Sequence, residues 1–338
     1  MNICVIFGGA SEEYKVSLAT AYEILTGLDK LSHKIHKIGV TREGKWYYYG
    51  GSVDKIKDDT WHTGDCEAVL PDLSRGCFLL PRSERELYFD KAVLAMHGTW
   101  AEDGRIISLL ELMGLPFLST SSASSLACFD KHITKLVARE LGIDVAKDAF
   151  LTKNSLGCVN QIYKEAEKIG YPLFVKPTKS GSSVGVCRVT GKEELLPAVK
   201  NALSISPALL EEAIDGRECE LAVIIKNGTP RFSKIGELSF GGGFYDYSEK
   251  YERGRTEYTV PAKIPKESAL LIYEYACLLV DALEITELCR IDFFVKRDGG
   301  VVFNEINTLP GFTKISMFPR LFINEGLSFS ELLDCLLT

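Results

Sequence analysis

No CxxC pair occurs among the ten cysteines, which are scattered along 338 residues. A chain of this length builds ample core without covalent staples, so a disulfide framework is excluded and the thiols read as reduced. Apolar runs stop short of the length a bilayer requires. The N-terminus also lacks a basic region ahead of its short apolar run, as a secretory leader would need. The chain therefore reads as cytoplasmic, with no membrane partner. Positive charge is not in excess: 39 Lys and Arg stand against 46 Asp and Glu, a net charge of −7. That balance excludes a dominant nucleic-acid footprint but permits local basic pockets. His33, His36, His62 and His132 have no cysteine partners at zinc spacing. No repeat-length period is present.

What is present is ordinary globular composition, 46% hydrophobic and 25% charged, with room for two or three domains. NICVIFGGASEEYKVSLATAYEIL reads as a buried strand, a glycine turn and a helix. HKIHKIGV and DKAVLAMHG read as strands, KWYYYGG as an extended piece and IISLLELMGL as a helix. This alternation predicts a mostly parallel sheet. A small-residue loop, LSTSSASSLACFDK, marks a boundary near Leu118. HITKLVARELGI is helical, YPLFVKPTKSGSSVGVCRV is strand–loop–strand, and EELLPAVKNAL is helical. A third unit begins near Leu209. It holds a glycine-rich loop, the helix ESALLIYEYACLLVDAL, a hairpin at 288–307 and an amphipathic C-terminal helix. The expected division is 1–118, 119–208 and 209–338.

The richest segment is LCRIDFFVKRDGGVVFNEINT. Asp298-Gly299 is a strong hairpin turn. With those two residues as the loop, Arg297 pairs with Gly300, Asp292 lies opposite Glu305, and Arg290 lies opposite Asn307. All four share one face by the period of two, and a loop at Gly299-Gly300 instead would change the partners but not that face. Opposed carboxylates repel unless a cation lies between them, and these hard oxygens suit Mg²⁺ together with substrate phosphates. The plainer alternative is a solvated face on which Arg290 neutralises Asp292. The packed FFV and VVF flanks favour the metal.

FVKPTKSGSSVG delivers Lys176 from a strand into a loop with Lys179, Gly181, Ser182, Ser183 and Gly185. Such a loop wraps phosphate oxygens or is simply a polar hairpin. Two decoys fail. GVTREGK at 39–45 has the Walker spacing, but Trp46 stands where a hydroxyl belongs, so a turn at Arg42–Gly44 is expected. FGGAS falls short of the dinucleotide fingerprint, which leaves a nicotinamide dehydrogenase poorly supported. GGGFYDYSEKYERGR, with Tyr245, Tyr247, Lys250 and Tyr251, reads as an aromatic surface loop or as a lid that excludes water. His97, in MHGTWAEDGR, follows a strand at the end where α/β proteins bind ligands. It is either a turn residue or a base. Glu13 either caps a helix N-terminus or holds a substrate ammonium.

Taken in order, GGASEEYKVSL, HGTWAEDG, FDK, FVKPTKSGSSVG, EEAIDGRE, GGFYDYSEKY, RID, NEINTLPGFT and SMFP resemble the D-alanine–D-alanine ligases of the ATP-grasp superfamily almost end to end. The resemblance implies a three-domain fold, α/β and α+β, with an N-terminal preATP-grasp domain. It also implies ATP-driven joining of two D-alanines through an acyl phosphate, for peptidoglycan precursors. Asp292, Glu305 and Asn307 would hold two Mg²⁺ ions, or Mn²⁺ in their place. Lys131, Lys176 and Lys250 would contact ATP, Glu211 and Ile214 would line the adenine site, and Glu218 would hold the ribose. The loop of Gly181, Ser182, Ser183 and Gly185 would cover phosphate.

Glu13 would bind the first ammonium and share a hydrogen-bonded network with Ser182 and Tyr251. Arg290 and the Gly311 N–H would stabilise the oxyanion. Ser316 and Met317 would contact the second substrate, Ser316 at its carboxylate. Tyr251 and the apolar Met317 favour D-alanine there, with D-serine the alternative. A catalytically silent nucleotide-binding protein is the alternative from another class. Homodimerisation is implied by the resemblance alone. Four departures fall on the expected substrate side: Lys15, Trp100-Ala101, Arg105 and Lys314-Ile315.

Overall fold

The computed structural model describes residues 1–239 and 257–338. An N-terminal six-stranded sheet has the order 66–68, 46–49, 34–40, 2–8, 91–95, 117–118. Strand Asn2–Gly8 lies parallel to Lys34–Val40 on one side and to Lys91–Ala95 on the other. Pairing turns antiparallel at Trp46–Tyr49 and beyond. Residues 3–7 are all buried, as both faces of a central parallel strand must be. Helix Tyr14–Leu28 follows, and its Tyr14, Leu18, Ala21, Leu25 and Leu28 recur at helical spacing toward the core. The Walker-like stretch is the expected turn: Gly44 N–H donates to Thr41 O and Thr41 N–H to Lys45 O. A small three-stranded sheet, 70–72, 77–80 and 85–87, was not foreseen.

Two serial caps open the next segment. Ser121 Oγ accepts from Ser124 N–H and starts helix Ser122–Phe129. Asp130 Oδ1 accepts from His132 N–H and starts helix Lys131–Glu140. A four-stranded sheet follows, with strands Asp148–Leu151, Ala208–Glu212, Leu173–Pro177 and Cys187–Val189 in that order, all pairings antiparallel. Residues 208–212, near the start of the expected third unit, thus pair with strands of the second.

The last sheet is built on strand Gly216–Lys226, which pairs antiparallel with Leu288–Lys296, itself paired with Val301–Asn307. The hairpin corrects the expected register in an instructive way. Its loop has three residues, 297–299, closed by Lys296 and Gly300, with Gly299 at φ +88°. Lys296 N–H donates to Gly300 O at 2.8 Å, so Arg297 does not pair with Gly300. Near the turn Val295 faces Val301 and Phe293 faces Phe303, one residue off expectation. A bulge then places Asn304 as an extra residue, and beyond it Asp292 faces Glu305 and Arg290 faces Asn307 as expected. Helix Phe329–Leu337 carries a capping box between Ser328 and Glu331. Its Leu332, Leu333, Leu336 and Leu337 join the same core as the N-terminal sheet.

Candidate active site between two sheets

The strands deliver their loops to one place. Glu13 sits in the turn after the first strand, at the N-cap of helix Tyr14–Leu28, yet its side chain caps nothing. Ser182 Oγ donates to the Glu13 carboxylate instead, across 169 residues of sequence. That carboxylate lies where side chains on Gly98 and Gly181 would stand: a Cβ on Gly98 would come within 2.6 Å of Oε2, and one on Gly181 would overlap it. Ser182 and Ser183 both adopt left-handed backbone, φ 48° and 59°. Consecutive residues of that kind are strained, and they form a tight turn closed by Val184 N–H donating to Gly181 O at 3.0 Å.

Two cavities meet at this loop. The smaller, about 110 Å³, is walled by Glu13, His97, Arg290, Gly311, Ser316 and Met317 among others. The larger, about 870 Å³, is a cleft lined by Lys176, Ser183, Glu211, Ile214, Glu218 and Asn304. Lys131, Ser180, Gly181, Ser182 and Glu305 line both. Lys131 Nζ reaches Ser180 O at 2.7 Å and Glu305 at 3.3 Å, bridging the common wall. Lys176 pairs with Glu211 on the neighbouring strand. Burial would raise the Glu211 pKa, but Lys135 and then Lys176 outweigh it and hold the carboxyl at about 2.

Arg290 is the electrostatic hub of the smaller cavity. It is bidentate to Asp292, at 2.8 and 2.7 Å, and 3.0 Å from Glu220. Burial works against its charge, yet Asp292 and then Glu220 prevail and hold it well above its ordinary pKa. Ser316 Oγ accepts from Thr313 N–H at 3.1 Å and lies 2.7 Å from where a Cβ on Gly311 would be. His97 contacts Thr20 Oγ1 at 2.9 Å, with Glu102 at 3.8 Å.

Most of the expected set therefore converges. Asp292 lies behind Arg290 and lines neither cavity, and Gly185 packs toward Pro177 and Ile205 outside both. Lys250 and Tyr251, with the rest of the lid segment, fall outside the described residues. The expected gathering of sequence departures on the substrate side is corrected. Ile315 lines the smaller cavity, whereas Lys15 and Arg105 are exposed and Trp100 packs over Gly44.

Glu220, Ser180 and Lys135 were not picked out from the sequence. Glu220 had a signal, because it follows Glu218 by two in GRECELAVII and so shares its face. Among the described residues no three His, Cys, Asp or Glu side chains form a metal-binding group. The Asp292, Glu305 and Asn307 donors bring two carboxylates and one amide. All are hard oxygens, Asp292 and Glu305 are directly opposed, and Glu305 faces the cleft. By chemistry this donor set fits Mg²⁺, whose remaining positions go to water and phosphate. Glu305 and Asn307 stand on the cavity walls, whereas both Asp292 oxygens are taken by Arg290 here, the neutralised arrangement of the plainer alternative.

The sheets that carry this cavity and cleft form an ATP-grasp fold with an N-terminal α/β domain. Family models described as the D-ala D-ala ligase N-terminus and C-terminus match residues 2–120 and 137–338. The chain belongs to the D-alanine–D-alanine ligase family of ATP-dependent ligases. A D-alanine–D-alanine ligase of Thermoanaerobacter sp. (strain X514) is 38% identical over 98% of this chain and 94% of its own length. D-alanine–D-alanine ligase B of Clostridium tetani is 37% identical over 99% and 92%. Among solved structures, the VanG D-Ala:D-Ser ligase of Enterococcus faecalis matches with a TM-score of 0.89. It is 34% identical and covers 99% of this chain and 98% of that one. D-alanyl-alanine synthetase A of Vibrio cholerae matches at 0.86, with 30% identity over 99% and 97%.

Proposed function

We propose that the chain joins two D-alanines, with ATP converted to ADP and phosphate. The supporting observation is the shared wall. A carboxylate held in the smaller cavity lies next to Lys131, Ser182 and Glu305, which also line the nucleotide cleft. Transfer between the two sites then needs no large movement. Glu13, oriented by Ser182, holds the first ammonium. The substrate carboxylate oxygen attacks the γ-phosphorus and ADP leaves, giving an acyl phosphate. The amine of the second D-alanine, positioned by Ser316 and Met317, attacks the carbonyl carbon. Arg290 and the Gly311 N–H take up the oxyanion charge, and phosphate departs as the ammonium proton is lost.

Asp292, Glu305 and Asn307 would hold Mg²⁺, which supplies charge neutralisation at the phosphates. Lys131 and Lys176 meet the phosphates, with Gly181, Ser182 and Ser183 over them. Glu211, Ile214 and Glu218 frame the base and ribose. We further propose Lys250 and Tyr251 as lid residues, three domains near 1–118, 119–208 and 209–338 with strand Ala208–Glu212 kept whole in the second, a homodimer and a cytoplasmic setting.

Likeness to a D-Ala:D-Ser ligase structure supports a second reading, D-serine as the second substrate. Ile315 and Met317 make that wall apolar, which suits a methyl group better. The test is a panel of D-amino and D-hydroxy acids with ATP and Mg²⁺, read by phosphate release and mass spectrometry. D-alanyl-D-alanine should dominate, and Glu305→Ala should abolish release without loss of fold. No release with any pair would sink the proposal.

A further inference from the structure

Helix Lys131–Glu140 presents Lys135 to the back of the nucleotide cleft, where it is 1% exposed and lines neither cavity. Its ammonium pairs with Glu211, lies 3.3 Å from Asp148 and donates to Ala146 O at 3.5 Å. Asp148 and Glu211 are direct cross-strand partners, so their like charges would repel without a cation between them. Asp148 has a second partner in Arg139, at 2.5 Å. Glu211 has Lys135 behind it and Lys176 on the cleft side. Two lysines thus share one buried carboxylate, and only Lys176 lines the cleft.

We infer that Lys135 is a positioning residue for nucleotide recognition: it remains as the counter-ion of Glu211 when Lys176 turns to the phosphates of ATP. The oxygen that Lys176 vacates then faces the cleft as an ionised acceptor. An exocyclic amino group, as on adenine, donates to it, whereas the oxygen at the same place on guanine is repelled. Without Lys135 there are two outcomes. Lys176 stays on Glu211 and is lost to the phosphates, or Glu211 takes up a proton and becomes a donor that tolerates guanine. Both weaken ATP binding and base preference: the first leaves no vacated oxygen for the amino group, and the second turns that oxygen into a donor. This inference rests on the reading of the larger cleft as the ATP site.

The test is calorimetric binding of ATP and of GTP without D-alanine, alongside steady-state KM and kcat. Lys135→Met should weaken ATP roughly 10- to 100-fold, the worth of a hydrogen bond to a charged acceptor. The ATP-over-GTP preference should shrink by a similar factor, KM should change more than kcat, and Lys135→Arg should recover part of the loss. Because Lys135 acts through Glu211, Lys135→Met should have little further effect in the Glu211→Gln background. That double variant also keeps the comparison available if Lys135→Met fails to fold. Unchanged ATP affinity and base preference in Lys135→Met, or an undiminished loss in the Glu211→Gln background, would overturn the inference. A wild-type protein that binds ATP no better than GTP would also overturn the inference, whereas one that binds neither nucleotide would overturn the reading of the cleft.

Discussion

Replacing Arg290 by methionine separates what the guanidinium does for the fold from what it does for the reaction. Asp292 and Glu220 are 2% and 4% exposed, and both rest against Arg290. Methionine fills similar space but leaves two buried carboxylates beside Glu305 with no guanidinium between them. Breaking a buried pair in this way costs about 3–5 kcal/mol. At about 2 cal/mol/K of unfolding entropy per residue, a chain of 338 residues shifts by about 1.4 °C per kcal/mol, so the melting temperature should fall by roughly 4–7 °C. Loss of the oxyanion contact should lower kcat by about 10²–10³.

The double variant Arg290→Met/Glu220→Gln removes one of the stranded charges without touching a proposed metal ligand. It should regain part of the melting temperature and none of the rate. Melts followed by circular dichroism and phosphate release measured below the melting range supply both readouts. A melting temperature unchanged in Arg290→Met would refute the buried-charge argument. A rate that recovers along with stability in the double variant would show that Arg290 acts only through the fold.

Two further outcomes are expected. Gly181→Ala should push the loop off Glu13, because the new methyl would overlap the carboxylate that Ser182 contacts. The KM for D-alanine should rise roughly tenfold or more, a larger factor than the loss of ATP affinity at the same shared loop, since small misplacements near a reacting centre are costly. Equal loss of both affinities would refute it. The Glu211 carboxyl is depressed from the usual 4.5 to about 2. Its contribution to stability, about 3 kcal/mol, is complete above about pH 4.5 and disappears as pH falls toward 2. Glu211→Gln should therefore show a shallower loss of melting temperature between pH 5 and 3, and parallel curves would refute this.

The hairpin shows how far sequence reasoning reaches. The facing pairs Asp292–Glu305 and Arg290–Asn307 were legible, but the route to them was not. The loop holds one more residue than a two-residue turn, and the bulge at Asn304 offsets the difference. Period-two patterning fixes faces; it does not locate a bulge, whose signal lies in backbone geometry. The serine loop was legible as a loop. Its contact with Glu13 was not, because nothing local in either segment encodes the other. Lys135 was hidden for the same reason: on a helix a lysine reads as solvated, and its partner Glu211 lies on a distant strand. The departures at Lys15 and Arg105 drew attention by spelling alone, and burial separates them from Ile315.

Helix Phe329–Leu337 packs against the helix that Glu13 precedes, and Ser330 Oγ donates to Gly27 O across 303 residues. One flank of the opening sheet is therefore closed by residues that the ribosome adds about 300 positions later, so this part of the core forms through a contact of very long sequence separation.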